Sequence, residues 1–168
     1  METNEWFRAW RAGMEFDQIE FSVGGIDLFQ PEELEQAQVG YGVAEDGKSL
    51  ASGEPGAWQA DWVAIGYETS FGDVIFASRT APHPVFTSVH AEGAWEARAI
   101  APSLEAFGAC LEAFRLYATD RGSPGEVEDN PPSAEEQAAF LDAVRRHTQE
   151  SETALDFWML TAEFQREG

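Results

Sequence analysis

Between positions 62 and 89 the chain alternates short apolar runs with dense turn signals, and this alternation restricts the fold more than any other feature. The runs 62–65, 73–77 and 84–89 have strand length, and the breaks between them carry Gly66, Ser70 and Gly72, then Pro82 and Pro84. A fourth run, 95–100, follows a Glu92-Gly93 turn and leads through Pro102 into a helix capped by Ser103. The pattern is that of an antiparallel meander closed by a helix. Side chains alternate across a strand, so Val74, Phe76 and Ser78 face one way and Asp73, Ile75 and Ala77 the other. Leu104, Phe107, Leu111 and Phe114 recur at helical spacing and give the Ser103 helix an apolar stripe to cover one of those faces, with Trp62 and Ile65 expected beneath it.

Upstream, Asn4 or Thr3 can cap a helix over 5–12, whose Trp6, Phe7 and Trp10 form one face and whose stop is Gly13. The segment 19–23 alternates apolar with polar residues and then meets Gly24-Gly25, with 26–29 beyond, for which a hairpin turning at the glycines is the simplest reading and an irregular or helical first half the open alternative. Pro31 suits the first turn of a helix reaching about Gln38.

Downstream, 119–132 loses all periodicity and carries Gly122, Pro124, Gly125, Pro131 and Pro132 among acidic residues, the pattern of an exposed linker. Ser133 and Glu136 then form a capping box. The helix it opens presents Phe140, Leu141 and Val144; a last helix from about Glu152 holds Leu155, Phe157, Trp158, Met159, Leu160 and Phe164, apolar on more than one side. Whether 134–166 is one helix or two stays open at this level. The last helix is expected to dock on the Trp6, Phe7 and Trp10 face and the adjoining sheet, within one chain or across a homodimer, because an exposed apolar cluster of that size is an aggregation liability. The organisation expected is a single α+β domain with an antiparallel sheet of four to six strands: a core over 1–118, the linker 119–132, and a C-terminal helical extension over 133–168.

The order Trp62-Val63-Ala64-Ile65-Gly66, Gly72-Asp73-Val74-Ile75-Phe76, Pro84-Val85-Phe86, His90, Trp95 and Ile100-Ala101-Pro102-Ser103-Leu104-Glu105-Ala106-Phe107 resembles the SUKH superfamily. Gly24-Gly25-Ile26-Asp27-Leu28-Phe29 and Glu33-Leu34 extend the likeness, which spans 19–117 and rests on Trp62, Ile65, Gly66, Gly72, Asp73, Pro84, Trp95, Ser103 and Phe107 as fold-defining positions. That superfamily holds a fungal cell-wall-assembly regulator and many bacterial immunity proteins. The resemblance implies a protein-binding module rather than an enzyme, and among bacterial members an immunity protein that blocks a toxin. A general regulatory or scaffold protein of the same fold is the alternative.

Charge bears on the choice of partner. The chain has 31 Asp and Glu against 10 Lys and Arg, a net charge of −21, divided 15 against 4 over 1–84 and 16 against 6 over the remainder. Such a field repels nucleic acid and anionic lipid and draws in basic proteins, a nuclease-like toxin with a basic cleft among them. The protein-binding candidates are Trp58, Asp61, Tyr67, Glu68, Glu92, Trp95 and Glu96, aromatic anchors with acidic neighbours. A cytoplasmic location is expected from the absence of a leader-like start or membrane-length apolar run.

No cofactor, metal or catalytic group is expected. The stretch 42–49 matches the spacing G-x-x-x-x-G-K-S around Lys48, but Glu45 and Asp46 would stand against the phosphates, and Gly53, Pro55 and Gly56 follow where a helix is needed. His83, His90 and His147 have no metal-type spacing, and Asp61, Asp73 and His90 would need to converge across the sheet to form a site. Cys110, the one cysteine, reads as a small buried hydrophobe.

Overall fold

The computed structural model describes residues 4–88 and 94–163. Six strands, β1 (Gln18–Phe21), β2 (Gly24–Leu28), β3 (Trp62–Glu68), β4 (Val74–Ser78), β5 (Val85–Ser88) and β6 (Arg98–Ala101), form one antiparallel sheet in the order in which they occur along the chain. The helices are α1 (Glu5–Ala12), α2 (Leu34–Ala37, continuing a 3-10 turn at Pro31–Glu33), α3 (Leu104–Ala118), α4 (Pro124–Asp129), α5 (Ala134–His147) and α6 (Glu152–Thr161). The protein is thus α+β, a meander with helices gathered on one face.

Strand alternation sorts the apolar side chains into two cores. Ile19, Phe21, Ile26, Leu28, Val63, Ile65, Ile75, Ala77 and Val85 meet Phe7 of α1, Phe107, Leu111 and Phe114 of α3, Phe140 and Val144 of α5 and Trp158 of α6 in the main core. The other face gathers Ala64, Val74 and Phe76 around Trp58, with Trp62, Phe86, Tyr41 and Trp95 against them. The expectation that Trp62 and Ile65 lie together under α3 is therefore corrected. Ile65 is fully buried in the main core, but Trp62 is half-buried on the opposite face, 4.7 Å from the Phe76 ring centroid. Side chains three apart on a strand point to opposite faces.

A bulge at Ile65 leaves that residue unpaired between Ala64 and Gly66 and resets the alternation, so Tyr67 comes opposite Val74. Gly66 is required beside it: a Cβ there would collide with the Asp27 carbonyl oxygen of β2. The first hairpin also differs in detail from its expected form. Phe21 pairs with Gly24, so the turn is Ser22-Val23, with Ser22 in the left-handed region at φ 57°, and the two glycines lie inside β2. Gly25 has φ 148°, and a Cβ on it would run into the Ile19 carbonyl oxygen. The glycines thus serve close strand approach rather than the turn.

Beyond α3 the expected linker is largely exposed, but it carries a short helix and is fastened at both ends. Ser123 caps α4 by accepting from the Glu126 N–H at 3.2 Å, with Pro124 at the first helical position. Arg121, 4 % exposed, donates to the Tyr117 carbonyl at 3.0 Å, the Asn130 carbonyl at 2.6 Å and both Glu136 carboxylate oxygens at 2.7 and 2.9 Å. Its own carbonyl accepts from the Ser22 N–H at 3.1 Å, tying the segment to the first hairpin.

Two helices, not one, follow, because Gln149 and Glu150 both adopt left-handed φ, 57° and 60°, and Ser151 then caps α6. The docking expectation for this last helix holds for the sheet and is corrected for its helix partner, which is α5 rather than α1. α6 packs on β6 and α5. The fully buried Trp158 stands with ring centroids 5.8 Å from Phe107 and 6.4 Å from Phe114, and its indole N–H donates to the Ile100 carbonyl of β6 at 3.1 Å. The α1 aromatics find other partners: Trp6 stacks on His83 at 4.4 Å and Trp10 on Phe107 at 5.8 Å, while Phe7 joins the main core. Phe164 and His90 lie outside the described residues.

Candidate protein-binding cleft

The outer face of the sheet is covered by the long connection between α2 and β3, and Trp58 is the residue that fastens it. Trp58 is 2 % exposed; its indole N–H donates to the Trp62 carbonyl at 3.2 Å, and its ring lies 5.0 to 5.5 Å by centroid from Phe76, Trp62, Trp95 and Tyr41. Trp58 is thus a core residue and not an exposed binding anchor, a correction to its expected role. Large aromatics gain most by full burial, and here the partners that bury it come from distant parts of the chain.

Tyr41 and Trp95, the half-buried neighbours of Trp58, stand 5.7 Å apart by ring centroid and form one wall of a cleft of about 590 Å³. Val74 and Ser88 line it from the sheet, and Phe71, Gly72, Asp73 and Leu160 complete it. Trp95 is not part of β6, whose first residue is Arg98; its N–H donates to the Gly56 carbonyl at 2.8 Å, and the Glu96 N–H donates to the Ser88 hydroxyl at 2.8 Å. These two bonds hold the aromatic wall to the covering loop on one side and to β5 on the other.

The β3–β4 turn gives the cleft its apolar rim. Glu68, buried at 6 % exposure, accepts from the Ser70 N–H at 2.6 Å and the Phe71 N–H at 3.0 Å, and Gly72 closes the turn at φ 76° by donating to the Glu68 carbonyl at 3.0 Å. Phe71 is left 73 % exposed at the tip, and Leu160 of α6 is 66 % exposed. Large apolar side chains standing out beside half-buried aromatics are the usual makings of a contact patch.

Asp73 is the one carboxylate among the lining residues. Partial burial pushes its carboxyl above the usual range, the Glu68 charge adds to this, and the Arg98 charge opposes both. Burial likewise raises the Tyr41 hydroxyl, keeping it protonated.

The remaining sequence candidates are distributed differently. Glu68 acts on the turn from within rather than at the surface. Tyr67 is half-buried, and its hydroxyl donates to Asp27 at 2.8 Å. Asp61 is exposed at the far end of β4, where it accepts from the Ser78 hydroxyl and, at 2.9 Å, from the Thr80 hydroxyl. Asp61 and Asp73 therefore flank opposite ends of one strand and do not converge. Glu96 is exposed next to Trp95, and Glu92 lies outside the described residues. Tyr41, Phe71 and Leu160 were not among the sequence candidates; a phenylalanine set inside the Ser70–Gly72 turn is the one signal that pointed here, since a turn seldom has a use for an exposed aromatic.

Groups with reaction chemistry are engaged structurally. The Ser78 hydroxyl donates to Asp61, and His83 Nδ1 sits 2.9 Å from the Ser78 carbonyl rather than the hydroxyl, so the imidazole does not engage that oxygen. Burial pushes the Cys110 thiol up to about 12, which keeps it protonated. In the stretch 42–49, Ala44 N–H donates to the Lys48 carbonyl, Gly47 N–H to the Ala44 carbonyl, and Lys48 N–H to the Asp46 carboxylate, so these N–H groups are already occupied in a tight turn with no helix behind it. Among the described residues no group of three His, Cys, Asp or Glu side chains could hold a metal ion, and no helix is long and apolar enough to cross a membrane. No protein-family model, curated protein or solved structure matches the chain, and the likeness to the SUKH superfamily rests on the residues quoted for it.

Proposed function

We propose that this chain is a non-enzymatic protein-binding domain of the immunity type, which neutralises a basic toxin by occupying it through the Tyr41–Trp95 cleft. The observation that carries the reading is the cleft itself: half-buried aromatics rimmed by the exposed Phe71 and Leu160, on a molecule of net charge −21. The aromatics supply local binding energy in a pocket that a partner would desolvate. The acidic field steers a basic partner toward it and speeds encounter, with a salt dependence that a neutral surface would not show. A cytoplasmic site of action follows from the same reading, since an immunity protein protects the cell that makes the toxin.

The test is to express the product of the reading frame adjacent to this gene, alone and together with this chain. The expected outcome is growth arrest from the neighbour alone, rescue by the wild-type chain, and a complex whose association slows as salt rises. Phe71→Ser combined with Leu160→Ser, both at exposed positions, should weaken rescue without unfolding the protein. A non-toxic neighbour that still binds would transfer support to the regulatory or scaffold alternative, and a neighbour that neither harms nor binds would overturn the immunity assignment.

A further inference from the structure

Resting on the protein-binding reading, the geometry points to a narrower property of the same cleft: we infer that it is built to receive an arginine side chain of the partner, stacked on Tyr41 and Trp95 and paired with the Asp73 carboxylate.

Three observations combine. The first is a contrast between two neighbouring carboxylates. Glu68 accepts backbone N–H bonds on both of its oxygens, whereas among the described residues the Asp73 carboxylate accepts none, although it is half-buried in the cleft wall. Polar groups taken from water are ordinarily given a partner, and a carboxylate left without one is stabilised most by an incoming donor that is also a cation. Arg98 on β6 influences Asp73 through its charge, but it is itself exposed and makes no ion pair with it.

The second observation is the aromatic wall. Tyr41 and Trp95 are each half-buried with part of their surface on the cleft, and aromatic faces attract a cation set over them, tryptophan most of all. The third is the apolar surround of Val74, Phe71 and Leu160, along which the aliphatic stem of a long cationic side chain can lie while its head reaches the acid. A cleft of about 590 Å³ has room for such a side chain with its adjoining backbone.

Arginine fits these features better than lysine. Its guanidinium is planar, stacks on aromatic faces and presents a fork of donors that matches a carboxylate, whereas a lysine ammonium is a strongly hydrated point charge. The burial that makes ionised Asp73 costly in the free protein also strengthens its attraction for a cation that displaces water from the cleft.

The experiment uses the full chain and three short probes: an acetylated, amidated Gly-Ser-Arg-Ser-Gly peptide and its citrulline and leucine counterparts. Binding is read from the Trp95 indole N–H resonance and the surrounding amides in NMR titrations of wild type and Asp73→Asn. The expected result is saturable movement of Trp95 by the arginine peptide, little or none by the citrulline peptide, and binding about tenfold or more weaker in Asp73→Asn, the size of one lost charge-assisted contact. If the leucine peptide moves Trp95 as readily as the arginine peptide and Asp73→Asn changes neither, the arginine inference is overturned while the cleft remains a protein-binding site. If none of the three peptides moves Trp95, and rescue in the toxin assay is also indifferent to the Phe71 and Leu160 substitutions, the cleft reading falls with it.

Discussion

Replacing Trp158 tests how the C-terminal helices are joined to the sheet. Its ring is fully buried against Phe107 and Phe114, and its indole N–H satisfies the carbonyl of Ile100, itself fully buried on an edge strand. Two substitutions separate those roles. Trp158→Phe keeps an aromatic ring in the core but strands the Ile100 carbonyl, at a cost of about 1–3 kcal/mol for a buried acceptor left without its donor. Trp158→Ala also opens a cavity, and truncation of a core aromatic costs about 3–5 kcal/mol. Against a total stability of about 5–15 kcal/mol for a domain, the alanine variant should be close to its unfolding limit and the phenylalanine variant plainly folded but weakened. Equilibrium urea unfolding measures both, with an unchanged slope expected if α6 unfolds together with the sheet. A phenylalanine variant within about 0.5 kcal/mol of the parent would refute the role given to the indole N–H. An alanine variant costing less than about 1 kcal/mol, or one that unfolds in two steps, would show that α6 is not part of the cooperative core.

Two further outcomes are expected. Gly25→Ala should destabilise by about 1–3 kcal/mol or more in thermal or urea unfolding, because Gly25 combines φ 148° with a Cβ position already occupied by the Ile19 carbonyl; Gly47→Ala, at φ 87° but with open space around it, should cost less, and equal losses would refute the collision argument. The Arg121 guanidinium, helped by the Ser133 N–H, holds the Glu136 carboxyl at about 2, below its ordinary 4.5. A depressed carboxylate contributes stability that is fully present above the ordinary value and is lost as pH falls toward the folded one, so Glu136→Gln should flatten the stability profile between about 4.5 and about 2. An unchanged acid limb in the variant would show that the pair does not titrate with folding.

Local signals in this chain were legible wherever a short stretch carried its own reason. The Ser103 and Ser133 caps appear as read, with Ser103 accepting from the Ala106 N–H at 2.9 Å and Ser133 from the Glu136 N–H at 3.0 Å. β4 begins one residue later than its apolar run because Asp73 belongs to the turn. Helix α4 has no legible sequence signal because its six residues are too few to show a periodicity, and the proline and glycines that mark a linker are equally at home in a capped first turn. The buried Arg121 could not be foreseen, since its acceptors lie on α3, on the Asn130 backbone and on α5. The cleft was hidden for the same reason. Tyr41, Phe71, Trp95 and Leu160 belong to four separate segments, and only the covering loop, the β3–β4 turn, the segment leading into β6 and α6 together bring them to one place. Of the protein-binding candidates among the described residues, Trp95 alone lines the cleft, while its neighbour Trp58 is the peg on which the loop hangs.

The strict succession of β1 to β6 has a consequence for how the protein is made. Each strand pairs with the one that leaves the ribosome just before it, so the sheet can lengthen during translation without waiting for a distant segment, and most strand junctions close short loops at small entropic cost. The exception is the step from β2 to β3, across the whole covering loop. The helical layer is different: α5 and α6 are synthesised last, and until Trp158 emerges β6 is a growing edge with the Ile100 carbonyl unclaimed. A nascent chain paused between α3 and α6 would therefore expose both that edge and the apolar side of α3, which makes this interval the period of greatest risk for pairing with another chain.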